Sequence, residues 1–410
     1  LGYGLSRTQK FISLNRSMKV HPPTSNGQSV QTLALANKRI IIVLGPLELG
    51  GSERQALLFA RYLKQEQQAD VQIWGTMGGP GRVAAVCDEY EIPWRIVPQP
   101  WVSERSKRLA GVIGFARRLR SVRPDVILPY MWLPSLICNL VFPYTGAKLC
   151  LWNQRDHGLT RIASRFEPRA LRNARFLIAN SQYIANYLIT DLGADPRKVR
   201  IVRNGVELAA PELDRAGWRR MLSLSESCFT ACMVGNLHQD KDHVTLLQAW
   251  KLVLDRTRSA NNPVLLIAGR FDNTHEALQK LTRDLGMEDS VRFLGQVQDI
   301  AGLLGAVDLS VFSSRSEGSP NGVLESMAAG LPVVATNIPA IREAVPNESV
   351  PFLVPAEDPE AMARATIEIM NGGDDLRRSL GDSNRKRVHQ QYSKRQACNA
   401  LVEIILEGLH

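Results

Sequence analysis

Glu317 and Glu325 stand eight positions apart in a run of mostly small residues, Ser313-Ser-Arg-Ser-Glu-Gly-Ser-Pro-Asn-Gly-Val-Leu-Glu325. A carboxylate accepts hydrogen bonds and can take two hydroxyls at once. Beside a phosphate it would be repelled, so its natural partners are neutral hydroxyls. Sugars offer hydroxyls in pairs. Asp308 to Ser313 alternates and reads as a strand, and the Gly/Ser/Pro/Asn loop after it leads into a predicted helix over Asn321 to Ala329. Gly330 lies just past the helix end and Pro332 beyond it. Leu331 to Ala335 is an apolar run suited to a buried parallel strand. Free N–H groups at the helix start can hold an anion. Strand, loop, helix and strand together read as a nucleotide-binding βαβ unit.

This stretch, with its tail Met327-Ala-Ala-Gly-Leu-Pro-Val-Val-Ala335, resembles the E-x7-E element of retaining glycosyltransferases of family 4, which have the GT-B fold. The resemblance implies that Glu317 contacts the donor sugar and Glu325 the ribose of the nucleotide. It implies further donor contacts at Gly318, Ser319, Asn321, Gly322 and Val323.

Other motifs extend the resemblance. Gly50-Gly51-Ser52-Glu53-Arg54 opens a helix after the first strand, with Ser52 placed to cap it. It resembles the family's glycine pair, beside donor diphosphate (Gly51) and acceptor (Gly50). Val234 to His243 resembles the family's lysine motif, and Lys241 matches the cation that neutralises the diphosphate. Asn236 replaces the usual arginine, and Arg270 is a candidate substitute. Asp240-Lys241-Asp242 spells a metal-binding D-x-D, but its neighbours fit the lysine motif better, so no metal is expected. Asn204-Gly205 reads as a tight structural turn. Leu294 and Gly295 end a strand where the family places the base. In Trp152-Asn-Gln-Arg-Asp156-His157-Gly158, His157 is the candidate that reaches the sugar, with Arg155 and Asp156 beside the acceptor. Asn337-Ile-Pro-Ala-Ile-Arg-Glu343 keeps the family's glutamate but not its Gly-Gly loop.

Such residues need scaffolds. Helix and strand signals alternate from Arg39 to Val202 and restart at Phe229. The expected fold is α/β and GT-B: two doubly wound Rossmann-like domains facing each other across a cleft. The boundaries expected are 1–37, a flexible leader or artefact, 38–205 for acceptor binding, and 206–393 for the nucleotide sugar. A terminal helix, 394–410, should pack back on the first domain. Val126 to Ala147 lacks charge, but Pro129, Pro134 and Pro143 favour a buried strand and helix over a membrane span.

The chain has 410 residues and a net charge of +10. Residues 38–205 carry 25 Lys/Arg against 13 Asp/Glu, and residues 206–410 carry 21 against 27. A basic first half facing an acidic second half suggests an anionic partner for the first. Residues 103–123 hold seven basic side chains around Leu109, Val112, Ile113, Phe115, Ala116 and Leu119, a pattern that can meet an anionic membrane. Nucleic acid is not expected, because aromatic interleaving is missing. Six cysteines without a CxxC pair read as buried thiols in a reducing cytoplasm. No signal peptide is read. The expected reaction is retaining, metal-independent transfer of a sugar from a UDP-sugar or GDP-mannose type donor to a glycan or lipid-linked acceptor. The donor is a substrate, and no cofactor is expected. The alternatives are a hydrolysing sugar-nucleotide epimerase of the same fold and a non-catalytic nucleotide-binding scaffold.

Overall fold

The computed structural model describes residues 33–98, 105–158, 161–162, 164–257 and 263–410, without the side chains of 105–107. Most of the leader segment and residues 103–104 of the basic segment lie outside the described residues.

The apolar run after Arg39 becomes strand β1 (Arg39–Pro46). Ile40, Ile42 and Leu44 face one core, while Ile41 and Val43 face another. A strand buried on both faces must be apolar throughout, which is why it does not alternate. Helix α1 (Gly51–Gln65) follows, then β2 (Asp70–Met77), α2 (Arg82–Glu89), β3 (Trp94–Ile96) and α3 (Arg105–Val122). Next come β4 (Val126–Pro129), α4 (Trp132–Val141) and β5 (Leu149–Cys150). These strands form a parallel sheet in the order β3-β2-β1-β4-β5.

Lys148 to Asn153 reads in sequence as one strand, but the structure divides it. Leu151 donates its N–H to Ile127, whereas Trp152 donates to Phe176. Strand β6 (Trp152–Gln154) thereby enters a second parallel sheet with β7 (Leu177–Ala179) and β8 (Val199–Ile201), in the order β6-β7-β8. Helices α5 (Glu167–Asn173) and α6 (Gln182–Thr190) connect them.

The second half begins with α7 (Arg215–Met221) and runs through β9 (Thr230–Val234), α8 (His243–Thr257), β10 (Val264–Ala268), α9 (His275–Asp284) and β11 (Val291–Gly295). It continues with α10 (Ile300–Ala306), β12 (Leu309–Phe312), α11 (Asn321–Ala329), β13 (Val333–Thr336), α12 (Pro339–Ala344) and β14 (Leu353–Val354). Its parallel sheet has the order β11-β10-β9-β12-β13-β14. The order reverses between β9 and β12, so the loops leaving their carboxyl ends open a crevice. Ligands of open α/β sheets bind at such a point. Helices α13 (Pro359–Asn371), α14 (Gly373–Gln391) and α15 (Lys394–Leu409) close the chain.

Helix α15 returns to the first half. Its buried Cys398, Leu401, Val402, Ile404 and Ile405 share a core with Ile40, Leu63 and Leu149. Tyr62 Oη donates to Asn399 Oδ1 at 2.6 Å. The predicted strand and helix over Val126 to Ala147 form as β4 and α4, and among the described residues no helix is long and apolar enough to cross a membrane. All six cysteines are buried, and none of them forms a disulfide.

Candidate active site

A cleft of about 370 Å³ opens between the halves. The loop after β12 carries Glu317 into it, and α11 presents Glu325 from its second turn. Helix α11 starts at Asn321, and Gly330 ends it in the left-handed conformation, φ 80°. Gly330 donates its N–H to Met327 O. Asn321 and Leu324 donate to Ser319 and Pro320. Among the described residues, the N–H groups of Gly322 and Val323 have no backbone acceptor.

The loop after β9 brings Lys241 to the same point, where its Nζ donates to Glu317 Oε1. Arg54, one turn into α1, reaches across with Nη1 3.4 Å from Glu325 Oε1. Burial pushes the Glu325 carboxyl above its ordinary pKa, against the pull of Arg54 and Lys241. The first half contributes a chain of polar contacts. Arg155 Nη2 donates to Asn204 Oδ1 at 2.6 Å, and Asn204 Nδ2 donates to Asn321 Oδ1 at 2.5 Å. Asn204 therefore bridges the halves with its side chain, beyond the turn role read from Asn204-Gly205.

His157 lines the cleft with its ring stacked on Tyr183, 4.7 Å between centroids, and tilted against Tyr187. Asp156 is buried, which pushes its carboxyl up. Gln154 Nε2 at 2.7 Å and Gly158 N–H at 3.1 Å hold Oδ1. Met131 enters the cleft wall at φ 72°, a conformation that a non-glycine residue adopts only under constraint.

Of the residues predicted from sequence, Gly50, Gly51, Arg155, Asp156, His157, Asn236, Lys241, Glu317, Gly318, Ser319, Asn321, Gly322 and Glu325 line the cleft. Arg270, Leu294, Gly295 and Val323 do not. The Val323 side chain is buried in the second-half core, since α11 turns that face to its sheet. Leu294 packs beneath β10 with Cys232 and Leu266, and the lining passes to Gln296, Val297 and Ile300. Arg270 lies outside the lining and pairs with Asp272, Nε to Oδ1 at 2.7 Å. Asn236 is itself engaged, its Oδ1 accepting the Arg270 N–H at 3.1 Å.

The start of α1 also differs from expectation. The helix begins at Gly51, and Ser52 does not cap it. The buried Glu53 carboxylate folds back against Gly50 at the helix start, and burial pushes its carboxyl above the ordinary pKa. Its negative charge occupies the anion-favouring end of the helix. Glu343 has a joining role, accepting the Gln182 N–H at 2.8 Å and Arg203 Nη2 at 3.1 Å from the first half. Arg54 and Asn204 were missed from sequence because both act across the cleft, far from their partners in the chain. Among the described residues, no three His, Cys, Asp or Glu side chains cluster as a metal site would require.

Two Rossmann-like halves built on parallel sheets, with a cleft between them, define a GT-B protein. A family model described as Glycosyltransferase Family 4 matches residues 49–210, and one described as Glycosyl transferases group 1 matches residues 228–372. A D-inositol 3-phosphate glycosyltransferase of Salinispora arenicola is 30% identical over 331 residues, 73% of this chain and 70% of that one. An Escherichia coli UDP-Gal:alpha-D-GlcNAc-diphosphoundecaprenol alpha-1,3-galactosyltransferase is 28% identical over 184 residues, 44% of this chain. The match spans about half of that enzyme, 47%. A glycosyltransferase from Rickettsia africae superposes with a TM-score of 0.78 at 20% identity, covering 91% of this chain and 99% of that one. Anabaena HepE, solved with UDP and glucose, superposes at 0.75 and 18% identity over 90% of this chain and 100% of that one. The chain belongs to the family 4, group 1 glycosyltransferases.

Proposed function

We propose that the protein transfers a sugar from a nucleoside diphosphate donor to an acceptor hydroxyl, with retention at the anomeric carbon. One observation carries the reading: Glu317 and Glu325 converge with Lys241 and Arg54 in one cleft. Carboxylates suit sugar and ribose hydroxyls, while cations and the α11 start suit a diphosphate. The donor base would lie toward Gln296, Val297 and Ile300, and the acceptor toward Arg155, Asp156 and His157.

In the transfer, the bond between the anomeric carbon and the β-phosphate oxygen breaks. The acceptor oxygen bonds to that carbon, and its proton leaves with the nucleoside diphosphate. Lys241 stabilises the charge that develops on the leaving group, and the fixed cleft supplies orientation. The reading needs no metal. UDP is the favoured leaving nucleotide, because HepE was solved with UDP and the Escherichia coli relative is named for a UDP-sugar. That relative's named acceptor is lipid-linked. A lipid-linked acceptor and a peripheral site on the inner membrane face fit the basic first half.

Melting temperature measured with UDP, GDP and ADP tests the donor reading, since binding stabilises by mass action. A rise with one diphosphate, followed by transfer from its sugar conjugate to a glycan or lipid acceptor, is the expected result. No shift with any of them would overturn it. Conversion of the donor sugar without an acceptor would show an epimerase instead.

A further inference from the structure

The cations lining the cleft are Arg54, Arg155 and Lys241. Arg155 is fixed: Asn204 and Asn153 accept from its guanidinium, which lies over the Tyr130 ring. Arg54 is not. Its contact with Glu325 is 3.4 Å, longer than the about 2.7–2.9 Å of a well-formed charge-assisted bond. Its side chain is 41% exposed, against 17% for Glu325. Among the described residues, Glu325 is its one ion-pair partner.

Lys241 pairs with Glu317 and Arg54 with Glu325, so the four charges cancel. A nucleotide sugar brings both hydroxyls and a diphosphate. Hydroxyls satisfy the carboxylates, and the diphosphate satisfies the cations. Other sources of positive charge nearby are already used. Arg270 lies outside the lining and pairs with Asp272, Asn236 is neutral, and the Glu53 carboxylate lies against Gly50 at the start of α1.

We propose that Arg54 exchanges Glu325 for the donor diphosphate and acts beside Lys241 as its second cation, supplied from the opposite half. The exchange rests on the nucleotide-sugar reading above. It makes donor binding a bridge between the halves: α1 holds the diphosphate while α11 holds the ribose. The helix that could not offer its own terminus offers a side chain instead.

The test compares UDP, by calorimetry, with uridine, by ligand-observed NMR, for the wild type, Arg54→Gln, Arg54→Lys and Lys241→Ala. Without the charge-assisted hydrogen bond from Arg54 to the diphosphate, Arg54→Gln should bind UDP about 10–100-fold more weakly. Uridine binding should change by less than about threefold, because the ribose keeps its partner in Glu325. The salt dependence of UDP binding should fall, and Arg54→Lys should recover most of the affinity. Equal weakening for UDP and uridine would make Arg54 a structural strut and overturn the exchange. Weaker binding by Lys241→Ala with no change in Arg54→Gln would also overturn it. If the wild type bound no nucleoside diphosphate at all, the donor reading itself would fall, whatever the variants did.

Discussion

The two glutamates share a charge but not a surrounding. Glu325 sits on α11 beside Arg54, and Glu317 sits in the loop after β12 beside Lys241. Glu325→Ala should chiefly weaken nucleotide binding, and Glu317→Gln should chiefly lower turnover. Each hydrogen bond removed from a charged group is worth about 1.5–3 kcal/mol, or about 10–100-fold. Kinetics of both variants against donor concentration would check the split, and near-normal values for both would remove the site assignment. Lys241→Ala should cost about a hundredfold or more in turnover, the scale of losing one preorganised charge. Activity should survive a chelator. Loss on chelation with recovery in magnesium or manganese would redirect attention to Asp240 and Asp242. At this scale the sequence was most legible where spacing is local: Glu317, Gly318, Asn321 and Glu325 belong to one βαβ unit. Arg270 was less legible: a strand-end arginine looks free until Asp272, two residues on, is seen to pair with it.

At the scale of elements, the joints decide more than the helices. The α11 helix was legible because its pattern, its Gly330 end and Pro332 all agree. The split of Lys148 to Asn153 was not, since an apolar run says nothing about which sheet accepts it. Gly318 is a joint of this kind. A Cβ there would collide with the Arg155 carbonyl oxygen, and Ser181 Oγ donates to Gly318 O at 2.7 Å. Gly318→Ala must push the Glu317 loop away from the first half. Donor KM should rise while the melting temperature changes little, because the loop lies outside both cores. An unchanged KM would show that the loop need not touch the first half. Helix α3 raises a different question. Its Leu109 and Ile113 are exposed, in line with exposed Arg117 and Arg120. Such a face can rest on anionic lipid. Sedimentation with anionic vesicles should occur at low salt, weaken as salt screens beyond about 8–10 Å, and fall in an Arg117, Arg118 and Arg120 to Gln variant. No sedimentation at low salt would leave a soluble acceptor.

At the scale of the whole molecule, the chain order and the spatial order disagree at one place, and that place sets stability. Residues after Val206 build the second half, yet α15 belongs to the first-half core. The crossing is fastened where Val206 pairs with Ser393 and Lys394 meets Glu207 at 3.0 Å. Ser393 caps α15, its Oγ accepting the Gln396 N–H at 3.4 Å. Arg200 meets Glu407 at 3.0 Å near the far end. Five buried side chains, Cys398, Leu401, Val402, Ile404 and Ile405, line the seam. Burying an aliphatic side chain contributes about 1.5–3 kcal/mol, so α15 as a whole is worth about as much as the 5–15 kcal/mol that holds a typical domain folded. Removing residues 394–410 should therefore leave the first half unable to fold, although every residue of its sheets is still present. Leu401→Ala, a milder cut in the same seam, should cost about 2–5 kcal/mol. Thiol labelling reads the outcome directly, since Cys87, Cys138 and Cys150 are buried in the first half and Cys228 and Cys232 in the second. The truncated chain should label the first three readily and the last two slowly. Equal protection of all five would show that the first half stands without its returning helix.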